Sequence, residues 1–152
     1  SEKDQEILAH LRTNNREKIT HLAKKVNLPV TTVYSKLKSY ERSLIRKHTC
    51  LIDFNKIGDY KSVFLALKGK ERKKELRDFL GSHSCVNSLF RVDYDHDFLA
   101  ECIFKDENEV TAFLEELGSY DAEMQMLNVV EEIRKEDFVL GKKGGDENGF
   151  RK

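Results

Sequence analysis

Between residues 4 and 42 the apolar side chains recur at helical spacing in three short stretches, and the last two stretches are separated by about three residues. Few folds accept helices joined so tightly. Asp4 to Arg12 puts Ile7, Leu8 and Leu11 on one face, and Thr13 to Arg16 breaks the pattern. Glu17 to Val26 buries Ile19, Leu22, Ala23 and Val26, and Asn27-Leu28-Pro29 ends it, because proline disfavours a helical residue before it. Val30 to Arg42 turns Val33, Leu37 and Tyr40 inward. A β-type run from Leu44 to Asp53 follows directly, which predicts a winged helix-turn-helix over residues 1–52. A plain three-helix bundle with a charged surface is the alternative.

After a linker at 53–59 the period changes and the order β-α-β-β-α-β is predicted over 60–140: strands at 60–68, 86–92, 97–105 and 124–132, helices at 70–80 and from the cap Asp106 onward. Glu109 stands three residues after that cap, the spacing of a capping box. The fold class is therefore α+β, a winged helix-turn-helix followed by a ferredoxin-like domain. Its strands are apolar on both faces, since Val63, Leu65 and Leu67 alternate with Phe64 and Ala66, and Phe98, Ala100 and Cys102 with Leu99 and Ile103. Two helices cover one face only, so the other face predicts a homodimer. Residues 141–152, rich in glycine and without periodicity, read as a disordered tail.

The net charge of zero conceals two opposed halves. Residues 1–58 carry 12 Lys and Arg against 6 Asp and Glu, a net of +6, whereas residues 59–140 carry 11 against 19, a net of −8. Only the first half suits a polyanion, and double-stranded DNA is the expected partner. In a helix-turn-helix the third helix enters the major groove, so its outward residues Thr31, Thr32, Tyr34, Ser35, Lys36 and Lys38 are the candidates for base and backbone contact. Lys24, Lys25, Arg46, Lys47 and His48 are placed to touch phosphate.

Cys50, Cys85 and Cys102 are widely spaced, with no C-x-x-C and no histidine at ligand distance, so no disulfide framework, metal site or cofactor is signalled. No run approaches the roughly 20 apolar residues of a membrane span, and a cytoplasmic protein is expected. A nucleophile with its base, or a phosphate loop, is not recognisable either, which argues against an enzyme.

With both halves placed, residues 3–138 resemble the Lrp/AsnC family of leucine-responsive, or feast/famine, transcriptional regulators. Asp4 to Leu8 is similar to the family's opening D-x-x-I-L, and Leu22 to Lys38 to its L-A-x-x-V-G-L-S-x-S-T-V-x-x-R-I-K signature. Asp53 and Gly58 fall on its linker D-x-x-x-x-G, and Phe90 to Leu99 followed by Asp106 to Leu114 parallels its effector-domain hairpin and second helix. Three departures stand out: Pro29 replaces the serine that caps the reading helix, the glycine before the wing is missing between Ser43 and Leu44, and Tyr94 replaces the glycine of the hairpin turn.

The resemblance implies a DNA-binding regulator that works as a dimer, with dimers assembling into tetramers or octamers. It further implies an amino acid or similar metabolite as effector, bound near the hairpin turn at Tyr94, Asp95, His96 and Asp97. Two other readings stay open. Siroheme decarboxylases resemble the same two-domain family, and Arg46 and His48 are present here, although the rest of their wing pattern is not. A chain that only forms mixed oligomers, without binding DNA, is the other.

Overall fold

The computed structural model describes residues 1–141, and these fall into two compact units. One comprises Ser1–Leu51 together with the stretch from Arg134 onward, and the other Ile52–Ile133. Apart from Gly141, the tail expected at 141–152 lies outside the described residues. No helix among the described residues is long and apolar enough to cross a membrane.

The first unit holds α1 (Glu2–Thr13), α2 (Ile19–Val26) and α3 (Val30–Ser43). Ile7, Leu22, Ala23, Val26, Val33 and Tyr40 form its core, with Leu8, Leu11, Ile19, Leu28 and Ile45 packed around them. Asn27 ends α2 in the left-handed region at φ 54°, which asparagine tolerates better than most residues. Lys3 donates to the Val26 carbonyl at 2.7 Å, satisfying an acceptor that the helix end leaves open. Pro29 then starts α3 with its φ already near the helical value and no side-chain cap.

The predicted β run after α3 is where sequence and structure differ. Leu44 closes α3 in the helical region, and the residues from Ile45 to Asp53 join no strand ladder among the described residues. A strand gains its backbone bonds only from a neighbour, and among the described residues no second strand returns along this run. Ile45 packs on the core, and the residues that follow it up to Asp53 are exposed.

The second unit opens with a 3-10 turn at Phe54–Lys56 and continues as β1 (Lys61–Lys68), α4 (Lys73–Ser82), β2 (Val86–Arg91), β3 (Phe98–Phe104), α5 (Glu107–Gly118) and β4 (Glu123–Asn128). The sheet order is β2-β3-β1-β4, all antiparallel, which is the ferredoxin-like arrangement expected from the element order. Val63, Leu65, Leu67, Phe98, Ala100, Cys102 and Phe104 are buried on one face under Leu76, Leu80, Phe113 and Leu117 of the two helices. Burial pushes the Cys102 thiol up to about 12, so this cysteine behaves as a small core hydrophobe.

At α5 the Asp106 side chain accepts from the Glu109 N–H at 2.9 Å, as the capping spacing predicts. The Glu109 carboxylate reaches one residue farther than a capping box requires, accepting from the Lys105 N–H at 2.6 Å. On the sheet's other face Phe64, Ala66, Leu99 and Ile103 remain partly accessible, flanked by Phe90 and Leu127, which are 53 % and 52 % exposed. No helix of the second unit covers that face.

Candidate nucleic-acid interface

Helix α3 sorts its own residues by angle. Val33 and Tyr40 are buried, so at 100° per residue Thr31, Ser35, Lys38 and Arg42 lie along the opposite side, and all four are exposed. Tyr34 flanks them, with the Lys38 ammonium 5.6 Å from its ring centre. Thr32 is half-buried at the margin. This stripe combines hydroxyls near the helix N-terminus with two cations farther along, the donors and acceptors that base edges and phosphates accept.

Lys36 does not belong to the stripe. Its ammonium lies 2.8 Å from Asp4 Oδ1 of α1, and the Tyr40 hydroxyl donates to the same oxygen. The three line a groove of about 480 Å³ between α1 and α3, together with Leu8 and Leu44. The bond from Lys36, joined by those from Ser1 and Tyr40, holds the Asp4 carboxyl well below the usual carboxylate range. Burial and the neighbouring carboxylate push the Tyr40 hydroxyl upward. Lys36 thus fastens α3 to α1.

A group whose folded value lies below its unfolded value of 3.8 supports the fold fully above that pH, and the support is lost as pH falls further. We therefore expect the first unit to lose stability on acidification below about pH 4. Asp4→Asn should start less stable at neutral pH and lose less on acidification. Urea unfolding of both proteins at pH 7 and pH 3 measures the difference.

Of the remaining basic candidates, Lys24, Arg46 and Lys47 are exposed and form no ion pair among the described residues. Lys25 is engaged, 2.5 Å from the half-buried Glu17. His48 lies 2.9 Å from Asn15 Oδ1 through Nδ1 and 3.3 Å from Glu41 through Nε2.

No family model matches the sequence. An uncharacterized HTH-type transcriptional regulator of Pyrococcus abyssi is 27 % identical over 142 residues, covering 91 % of this chain and 97 % of the relative. Among solved structures, the feast or famine regulatory protein of Mycobacterium tuberculosis complexed with L-methionine superposes with a TM-score of 0.81 at 15 % identity, over 90 % of this chain and 95 % of that one. An AsnC family transcriptional regulator from Agrobacterium tumefaciens gives 0.76 at 22 % identity, over 88 % and 92 %. The chain has the Lrp/AsnC regulator fold. The order of segments read from residues 3–138 is thus matched by the order of elements in space.

In this chain the hairpin turn between β2 and β3 forms despite its tyrosine. Tyr94 adopts φ 65° and is 97 % exposed, a conformation in which a non-glycine residue costs roughly 1–2 kcal/mol. Asp95 is exposed and His96 half-buried beside it. Asp97 points elsewhere: it accepts from the Gly69 N–H at 2.8 Å and lies 3.3 Å from the Lys73 ammonium. Burial raises its carboxyl, but these two bonds outweigh that and hold it below its ordinary value. The four effector candidates therefore do not converge, because Asp97 ties the turn between β1 and α4.

Sequence reasoning passed over Asn15, Glu41 and Arg42. Arg42 was legible as the next member of the series Thr31, Ser35 and Lys38. Asn15 and Glu41 acquire a role only once His48 is brought back against the helices.

Proposed function

We propose that this chain is a sequence-specific transcriptional regulator of cytoplasmic DNA, that it is not an enzyme, and that α3 carries the base-reading residues Thr31, Tyr34, Ser35 and Lys38. The observation that carries the reading is the combination of end-to-end coverage by HTH-type regulators with an exposed hydroxyl and cation stripe on the second helix of the motif. Thr32, at the margin, is placed for the backbone, as are Lys24, Arg46 and Lys47, while Lys36 and Lys25 are assigned to structure. Selection of genomic fragments by the purified protein, followed by sequencing, should return a site with two-fold symmetry. Enrichment no better than that of an unrelated basic protein would refute the reading.

Dimers are proposed to form by packing of the open sheet faces, so that two reading helices address half-sites related by two-fold symmetry. The functional division proposed is 1–52 for DNA and 60–140 for pairing, with the stretch from Arg134 onward packing in the first unit, where Arg12 donates to the Glu136 and Phe138 carbonyls. Assembly into tetramers or octamers extends the same proposal.

An amino acid is the proposed effector, supported by the L-methionine held by the Mycobacterium tuberculosis neighbour. Asp95 and His96 are the side chains left to meet it at the turn, while Tyr94 takes the place of a close backbone approach. In a thermal-shift screen of the twenty amino acids, a ligand at 100 times its dissociation constant should stabilise the fold by about 2.7 kcal/mol. A response only in Tyr94→Gly would mean that the ring closes the site. No response in either protein would remove the effector from the account.

A further inference from the structure

The run after α3 joins no strand ladder among the described residues, yet it carries two of the exposed cations, Arg46 and Lys47, assigned above to DNA docking. Glu41 supplies a link. One carboxylate oxygen lies 3.3 Å from the Lys38 ammonium, and the other lies 3.3 Å from His48 Nε2. The opposite imidazole nitrogen is 2.9 Å from Asn15 Oδ1, in the connection between α1 and α2. A single acidic side chain thus spans the reading helix and the run that follows it, and the ring beyond it returns to the connection between α1 and α2.

An acidic residue within a surface meant for a polyanion needs a reason to be there. Left to Coulomb forces alone, Glu41 would oppose every phosphate near Lys38. Glu41 is exposed, but both of its carboxylate oxygens have a partner at 3.3 Å and Lys38 foremost draws its carboxyl below the usual range, so it is engaged.

We propose that Glu41 is a positioning residue for DNA binding: it stands in for the missing wing ladder, fixing Lys38 and the Arg46-Lys47 segment in one geometry through His48 and Asn15. This rests on the DNA-binding reading above. Positioning and simple electrostatics predict opposite signs. If Glu41 only repels phosphate, removing it tightens binding; if it positions the cations, removing it weakens binding although a negative charge has gone.

The test uses the full chain and a duplex of mixed sequence at low salt, with affinity read by fluorescence anisotropy and backbone order by amide hydrogen exchange. Glu41→Ala should bind about five- to tenfold more weakly, with faster exchange at residues 46–51 and little change in the helices. His48→Ala should reproduce both effects, and the double variant should be no worse than either single one, as expected for partners in one link. Glu41→Gln keeps the reach and one accepting oxygen, so it should recover most of the affinity. Tighter binding by both Glu41 variants with unchanged exchange would overturn the proposal. A wild-type chain that fails to bind the duplex would overturn the DNA-binding reading and the docking role with it, and the exchange measurement would still decide separately whether the link holds the segment.

Discussion

Replacing Lys24, Arg46 and Lys47 together by glutamine should weaken binding to duplex DNA by about a hundredfold, at roughly 1 kcal/mol for each exposed phosphate contact. The loss should not depend on sequence, because such contacts position the protein without reading bases. Each phosphate neutralised contributes about 0.9 to the slope of log affinity against log salt, so the slope should flatten by close to 2.7. Lys36→Gln is the internal control. Its ammonium is committed to Asp4, so the salt slope should stay as in the parent while the urea midpoint falls. A triple variant with an unchanged slope, or a Lys36 variant with a flattened one, would show that the docking surface has been assigned to the wrong side of the motif.

The second large effect is expected at the open face of the sheet. Phe64 sits mid-way along β1, opposite Glu101 of β3 and Leu127 of β4, and is only partly buried within one chain. Phe64→Asp should therefore leave the second unit folded while abolishing its self-association. The variant loses the roughly 1.5–3 kcal/mol that a buried aromatic contributes and adds the cost of a desolvated carboxylate. Two-fold symmetry doubles each term, so the dissociation constant should rise by more than about a thousandfold. Light scattering at micromolar concentration should give the mass of a dimer or a multiple of it for the parent and of a monomer for the variant. A dimeric variant would place the interface elsewhere on the molecule.

Much of this molecule was legible in its residues, and the reason is periodicity. Three amphipathic stretches, a three-residue break ending in proline, and a switch to alternation after the linker specify which elements form and which faces they bury. The capping distance between Asp106 and Glu109 located the start of α5 for the same reason, since a cap acts within one turn. The apolar second face of the sheet was visible too, as alternation with no polar partner.

What the residues by themselves left open are the partnerships between distant segments. Lys36 and Lys38 are the same residue type two positions apart on one helix, and nothing local tells them apart. The packing of α1 puts Asp4 beside the first, whereas the second is left on the outer side with Glu41. Asp97 stands among the effector candidates by its place in the turn, and only the pairing of β3 with β1 brings it to Gly69 and Lys73. The run after α3 had the composition of a strand, but a strand exists only through its neighbour, and among the described residues it gains side-chain anchors instead. Local pattern thus set the elements, their faces and the sign of charge on each half. Which charges remain available to a ligand was decided by tertiary structure, because an ion pair depends on distance in space and sequence spacing carries no record of it.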